Sequence, residues 1–314
     1  MEITYGHTPV MCEEILFLLA PVLGSTDAVM VDATLGAGGH ARAVLELFGS
    51  LRVIGIDRDP EAIAVASVRL AAMADRLETY QATFDQVEEI LAGRRVEAVL
   101  FDLGLSSLQI DSPQRGFAYA FDAPLSMRMD GGPGLTAADV VNTYSCEQLT
   151  RIMTRYGEER YAARIARAIV AARHSQPFAT SAQLVEVIVA AIPASRTRSG
   201  HPAKRVFQAL RMEVNNEQDI LRRAIPAGLD CLKTHGRMAV LSYHSGEDRI
   251  VKRTFARAQS DQAPPGMAVV PEACQAQFRL VTRGAVKAST DEMMQNPRSK
   301  PARLRVIERI KEKP

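Results

Sequence analysis

Four short β-type runs near the start of the chain each give way to a helical pattern, and this alternation limits the folds open to it. AVMVDATL (28–35) breaks into GAGGH and continues as ARAVLELFG, and RVIGID (52–57) precedes DPEAIAVASVRLAAMA. LETYQATF (77–84) precedes DQVEEILAG, and VEAVLFD (96–102) stops on an acid. Strands alternating with helices predict an α/β domain built on a parallel, doubly wound sheet. Such sheets bind ligands outside the carboxyl ends of their strands. The residues that end these runs are therefore the first candidates for function.

Beyond Asp111 the texture changes. SPQRGFAYAFDAPLSMRMDGGPG (112–134) reads as a long loop, of a length that is usually functional. Helical segments follow: TAADVVNTY, then a capping box from Ser145 to Gln148 opening CEQLTRIMTRYG, then EERYAARIARAIVAAR, then a second box from Thr180 to Gln183 opening SAQLVEVIVAAI. β texture returns at GRMAVLSYHS (236–245), followed by the helical GEDRIVKRTFARA, and FRLVTRG and ARLRVIERI read as closing strands. The pattern predicts a discontinuous α/β domain, 1–112 and 206–314, interrupted by a helical insertion over 113–205.

At 314 residues and 47% hydrophobic, the chain has ample material for such a core. Cysteines 12, 146, 231 and 274 are scattered without a CxxC pair, so neither a disulfide framework nor a metal site is expected. The first residues lack the basic region and apolar core of a secretion signal, and no apolar run is long enough for a membrane span; a cytoplasmic protein is expected. Net charge is only +2, so its distribution matters more than its sum. Arg196 to Arg211 holds five basic residues and no acid, and Arg279 to Pro314 holds ten basic residues against four acids. Arg196, Arg198, Lys204 and Arg205, with Arg298, Lys300 and Arg303, are candidates for phosphate contact with a polyanion.

Gly36-Ala-Gly38-Gly39-His40-Ala41 follows a strand and opens a helix, and it satisfies the loose G-x-G-x-x-A dinucleotide fingerprint. Its glycines let the backbone turn tightly and approach a ligand beside a helix N-terminus. Asp57 ends the second strand and suits a ribose. NAD and S-adenosylmethionine both answer to this pattern. Two acids favour the cationic ligand: Asp32, just before the loop, and Asp102, at the end of the fourth strand. A diphosphate would be repelled by them. Phe84 stands where an adenine can stack, and Gln109 offers a carboxamide to a ligand's polar end.

HTPVM (7–11), DATLGAGGH (32–40), IDRDP (56–60), DLGLSSLQID (102–111), RGFAYAFDAPLSMRMD (115–130), YGEERYAARIARAIV (156–170), HPAKRVFQALRMEVN (201–215), SYHSGEDRIVK (242–252) and NPRSKPARLR (296–305) occur in the order of one known family. Over essentially its whole length the chain resembles the MraW family of ribosomal RNA small-subunit methyltransferases. Departures are Leu108 for proline, Ala123 and Ser126 for Gly and Asp, Tyr243 for Phe and Gly246 for Leu. The resemblance implies a class I methyltransferase fold with a helical insertion that recognises substrate. It also implies transfer from S-adenosylmethionine to N4 of a decoding-centre cytosine, cytosine 1402 of 16S rRNA; the 30S subunit is the expected partner, and the sequence leaves open whether free rRNA or the assembled subunit is the substrate. The family's cofactor contacts fall on Gly38, Gly39, His40, Asp57, Phe84, Asp102 and Gln109, with Asp32 and Gly36 as further candidates.

Cytosine N4 is a poor nucleophile and needs an acceptor for an amine hydrogen as it becomes pyramidal. Asp102-Leu-Gly-Leu-Ser-Ser stands after the fourth strand, so Ser106, Ser107 or main-chain carbonyls of 103–107 are expected to meet the amine. Tyr243 is read as a ring for the target base and His244 as acceptor of the released proton. The rival readings are an NAD-dependent oxidoreductase using the same glycine loop and a noncatalytic RNA-binding assembly factor. The sequence leaves the oligomeric state open.

Overall fold

A computed structural model of the chain describes residues 9–106, 108–109, 112–193, 201–263 and 270–312. In chain order its elements begin with α1 (Cys12–Leu23), β1 (Val29–Asp32), α2 (Gly39–Leu47), β2 (Arg52–Asp57), α3 (Pro60–Arg69), β3 (Leu77–Gln81), α4 (Val87–Leu91) and β4 (Val96–Asp102). Helices α5 (Ala137–Thr143), α6 (Cys146–Arg155), α7 (Ala162–Ser175), α8 (Ser181–Ala191), α9 (Ala203–Val214) and α10 (Glu217–Asp230) come next. The chain closes with β5 (Leu232–Ser242), α11 (Ser245–Ala258), β6 (Phe278–Leu280), α12 (Thr290–Gln295) and β7 (Arg303–Arg309). Two compact units result: Met1–Gly104 with Asp219–Pro314, and Leu105–Gln218. Among the described residues no helix is long and apolar enough to cross a membrane.

The first unit is a seven-stranded sheet in the order β3-β2-β1-β4-β5-β7-β6. Strands β1 to β5 are parallel, and β7 runs antiparallel to both β5 and β6. Side chains alternate across the sheet and so split its core into two layers. Met30, Val53, Leu100 and Leu241 join α1 and α2 on one side, while Val31, Ile54, Val99, Phe101 and Val240 join α4, α10 and α11 on the other. The inner strands are buried on both faces, which is why VEAVLFD reads as a nearly continuous apolar run. Burying a side chain such as Phe101 contributes roughly 1.5–3 kcal/mol.

The strands β1, β3 and β6 are shorter than their apolar runs, and the fifth strand is displaced. The fifth spans 232–242 rather than 236–245. Its pairing with β4 jumps from Val96↔Leu232 to Ala98↔Arg237, and this irregular step hides the upstream half from an alternation pattern. At the other end the chain leaves the strand after Ser242 to start α11. No element is expected from the sequence before residue 28, yet α1 is there and buries Ile15, Leu19 and Leu23.

The second unit is helical. Both expected capping boxes are present: Ser145 Oγ accepts from Gln148 N–H while Gln148 Oε1 accepts from Ser145 N–H, and Thr180 and Gln183 form the same reciprocal pair at α8. The long loop is pinned rather than loose. Buried Asn215 accepts from Met129 N–H at 3.0 Å and donates to the Met127 carbonyl at 2.7 Å. The unit's limits, 105 and 218, differ from the expected 113 and 205. A cut at 205 would fall inside α9, whose Ala203, Val206, Phe207 and Leu210 share this unit's core with Ile165 and Leu184.

Candidate functional site

The strand order reverses between β1 and β4, and a doubly wound sheet opens its ligand crevice at such a switch point. The loop after β1 supplies the first wall. Gly36 and Gly38 take φ values of 52° and 73°, and a Cβ on Gly38 would lie 2.9 Å from Leu70 Cδ1. A Cβ on Gly39, the first residue of α2, would lie 2.8 Å from Pro9 Cγ. Backbone shape requires the first pair and close packing the last.

Asp57, at the end of β2, ties this loop in place. Its Oδ2 accepts from Gly36 N–H at 2.8 Å and its Oδ1 from Asp59 N–H at 2.9 Å. Burial pushes its carboxyl above the ordinary value, against the pull of those two donors. Phe84 follows β3 and meets Phe101 edge-on, with ring centroids 5.7 Å apart. Part of its surface stays exposed.

Asp32, at the end of β1, is almost wholly buried. Its Oδ1 accepts from Thr34 N–H at 3.3 Å, and its Oδ2 has no hydrogen-bond partner among the described residues. Burial raises its carboxyl to about 6. His40, 6% exposed, places Nε2 3.4 Å from Asp102 Oδ2, an ion-pair separation rather than a short hydrogen bond. Burial works against the charged imidazole, but Asp102, Cys12 and Asp32 outweigh it and hold the group up at about 10. Asp102 is held from two further directions: its N–H donates to Thr34 Oγ1 at 2.6 Å, and Tyr243 Oη donates to its Oδ1 at 2.6 Å. Three strand-end acids with one buried imidazolium make an edge that suits a cationic ligand. The buried Asp32 Oδ2, without a hydrogen-bond partner among the described residues, fits such a group.

The structure gives His244 a different task from the one its sequence context suggests. It is the N-cap of α11: its Nδ1 accepts from Gly246 and Glu247 N–H at 3.2 and 3.3 Å, and its Nε2 lies 3.0 Å from Glu247 Oε1. The lone pair that a proton acceptor needs is occupied by the helix. Tyr243 likewise has its hydroxyl committed to Asp102. The sequence does not single out Thr34 or Glu247. A histidine is an unusual partner in a capping box and conceals the x-x-E signal that leads to Glu247.

Ser106 and Gln109 belong to the second unit. Ser106 Oγ accepts from Gln109 N–H at 3.3 Å, and Gln109 Oε1 accepts from Ser106 N–H at 3.2 Å, a reciprocal turn that buries the carboxamide. Ser107, Arg196 and Arg198 lie outside the described residues. Lys204 and Arg205 are exposed on α9, with Arg205 donating to the Glu158 carbonyl at 3.0 Å. The basic excess near the C-terminus is partly structural. Arg305 pairs with buried Asp248 at 2.8 Å, Arg279 with Glu308 at 3.0 Å, and Arg309 is buried over Phe278. Arg303, half exposed, lies 3.7 Å from Asp248, while Lys300 is exposed and Arg298 half-buried.

A sheet ordered 3-2-1-4-5-7-6 with one reversed strand, a glycine loop after β1 and acids ending β1, β2 and β4 defines a class I methyltransferase, dependent on S-adenosylmethionine. The profile of the MraW methylase family matches residues 4–310. The chain belongs to that family. It is 53% identical over 308 residues to a ribosomal RNA small subunit methyltransferase H from a Nocardioides species, covering 97% of each chain. The protein of that name from Saccharopolyspora erythraea is 54% identical, covering 98% of this chain and 94% of the relative. The one from Mycolicibacterium smegmatis is 51% identical, covering 98% and 84%. Membership in a methylase family overturns the NAD-dependent oxidoreductase reading of the glycine loop.

Proposed function

We propose that the chain methylates 16S rRNA of the small ribosomal subunit, transferring the methyl group of S-adenosylmethionine to N4 of a decoding-centre cytosine, with the 30S particle as substrate. One observation carries the donor half of this reading: Asp32, Asp57 and Asp102 all end adjacent inner strands, beside a loop turned by Gly36 and Gly38 at positive φ. The rRNA half is supported by relatives that bear that substrate in their names and match over nearly the full chain.

The donor supplies a methyl group on a cationic sulfur, ready for in-line attack. Gly36, Gly38 and Gly39 give its nucleoside a backbone wall, Asp57 the ribose partner and Phe84 a face for the base. Asp102 and Asp32 meet its positive charges. Asp102 is engaged at both oxygens and stands beside an imidazolium, so its part is to hold the donor rather than to take a proton from the acceptor amine. Ser106, Ser107 or main-chain carbonyls of the 103–107 stretch accept hydrogen bonds from the amine as it becomes pyramidal, and the proton freed by methyl transfer passes to solvent. The family resemblance gives Gln109 to the donor as well. Lys204, Arg205, Lys300 and Arg303 contact phosphates, and the helical insertion recognises the rRNA.

The test is incubation of unmethylated 30S subunits with methyl-labelled S-adenosylmethionine, followed by nucleoside analysis of the 16S rRNA. Label in N4-methylcytidine at one decoding-centre position is expected. Label in any other nucleoside overturns the N4 assignment, and label in protein-free 16S rRNA incubated in parallel, with none in the 30S subunits, overturns the 30S assignment.

A further inference from the structure

Tyr243, the residue after β5, meets Asp102, the last residue of the neighbouring β4. Asp102 stands opposite Leu241 in the β4–β5 register, so these two fall on one side of the sheet, and Tyr243 follows just past the end of β5. Tyr243 packs with the apolar layer that contains Leu100 and Leu241. The residue is fixed at both ends. Its main-chain N–H donates to Glu247 Oε2 at 2.8 Å and its hydroxyl to Asp102 Oδ1 at 2.6 Å. Between them the ring runs beside Gly104, where a Cβ would sit 3.4 Å from Tyr243 Cδ2. Burial and then the charge of Asp102 raise the phenol well above its usual range, so the tyrosine is the donor and the carboxylate the acceptor.

A carboxylate at a strand end ordinarily rotates about χ2 and loses that freedom when a ligand pairs with it. Here one oxygen is already held by a hydrogen bond. Tyr243 holds Oδ1, His40 stands 3.4 Å from Oδ2, and the Thr34 hydroxyl receives the main-chain N–H. We infer that Tyr243 is a positioning residue that, with His40, pre-orients the Asp102 carboxylate for the ammonium of the methyl donor's amino-acid end. The inference rests on the donor site proposed above. It gives Tyr243 a part in donor binding instead of a stacking role toward the RNA base.

Tyr243→Phe removes the hydroxyl and keeps the ring. S-adenosylhomocysteine and methylthioadenosine, which keeps the nucleoside and thioether but lacks the amino-acid end, are titrated calorimetrically into both proteins, with displacement where binding is weak. A hydrogen bond to a charged group predicts roughly tenfold weaker S-adenosylhomocysteine binding in Tyr243→Phe. Methylthioadenosine should bind both proteins within about twofold, and KM for S-adenosylmethionine should rise with kcat little changed. Unchanged S-adenosylhomocysteine affinity, or equal weakening of both ligands, overturns the positioning role. Failure of the wild-type protein to bind S-adenosylhomocysteine instead overturns the donor site itself.

Discussion

His40 is buried, yet Asp102, Cys12 and Asp32 let it keep its proton up to about 10. A histidine whose folded pKa exceeds its ordinary 6.5 stabilises the native state fully below that ordinary value. The stabilisation is then lost as pH climbs toward 10. A tenfold gain in proton affinity corresponds to about 1.4 kcal/mol, so His40 contributes at most a few kcal/mol in this way. Thermal unfolding of the ligand-free protein should accordingly give a Tm that falls between pH 7 and 10, with a clearly shallower fall in His40→Gln. Equal slopes in the two proteins would show that His40 is not charged in the fold. Asp32 has the opposite character to a salt-bridged acid: burial raises its carboxyl from 3.8 to about 6, so the stability it contributes below 3.8 disappears as pH rises through 6. A carboxyl whose burial disfavours its charged form is well placed to gain from a cationic ligand.

At the scale of single elements, α11 shows how a local signal can be mistaken for chemistry. His244 caps the helix with Nδ1 and pairs with Glu247, and removing a cap of this kind costs about 0.5–2 kcal/mol. His244→Ala should lower Tm by a few degrees and His244→Asn should recover most of the loss, with methyl transfer in the Asn variant close to wild type. Activity abolished in a stable Asn variant would return His244 to the catalytic site. Much of the fold is legible because elements announce themselves locally. RVIGID and VEAVLFD are strands over the very residues of the apolar runs, and Ser145 and Thr180 begin their helices as reciprocal caps. Asp32, Asp57 and Asp102 are legible as candidate ligand residues because strand ends can be located from sequence. What stays hidden depends on contacts distant along the chain: the hydroxyl of Tyr243 on Asp102, the Thr34 hydroxyl under the Asp102 amide, and α9 joining the core of the helical unit.

For the molecule as a whole, the modest net charge conceals a division of labour among its cations. Arg305, Arg279 and Arg309 are held by Asp248, Glu308 and the Leu229 carbonyl, so they serve the sheet, while Lys204, Arg205 and Lys300 stand at the surface. Charge reversal of Lys204 and Arg205 should weaken binding of a 16S rRNA fragment and flatten its dependence on salt by about one unit of slope for each phosphate left unpaired. Arg305→Ala should instead lower Tm and leave that slope alone; an unchanged slope in the double reversal would exclude α9 from the RNA contact. The separation of β4 from β5 by the entire helical unit has its own consequence, in the order of synthesis. Until β5 is made, β4 can pair with β1 along one edge and has no native partner along the other, where the amides and carbonyls of Val99 and Phe101 are open to any passing strand. The strand that the finished protein shields along both edges is, in the nascent chain, an open template.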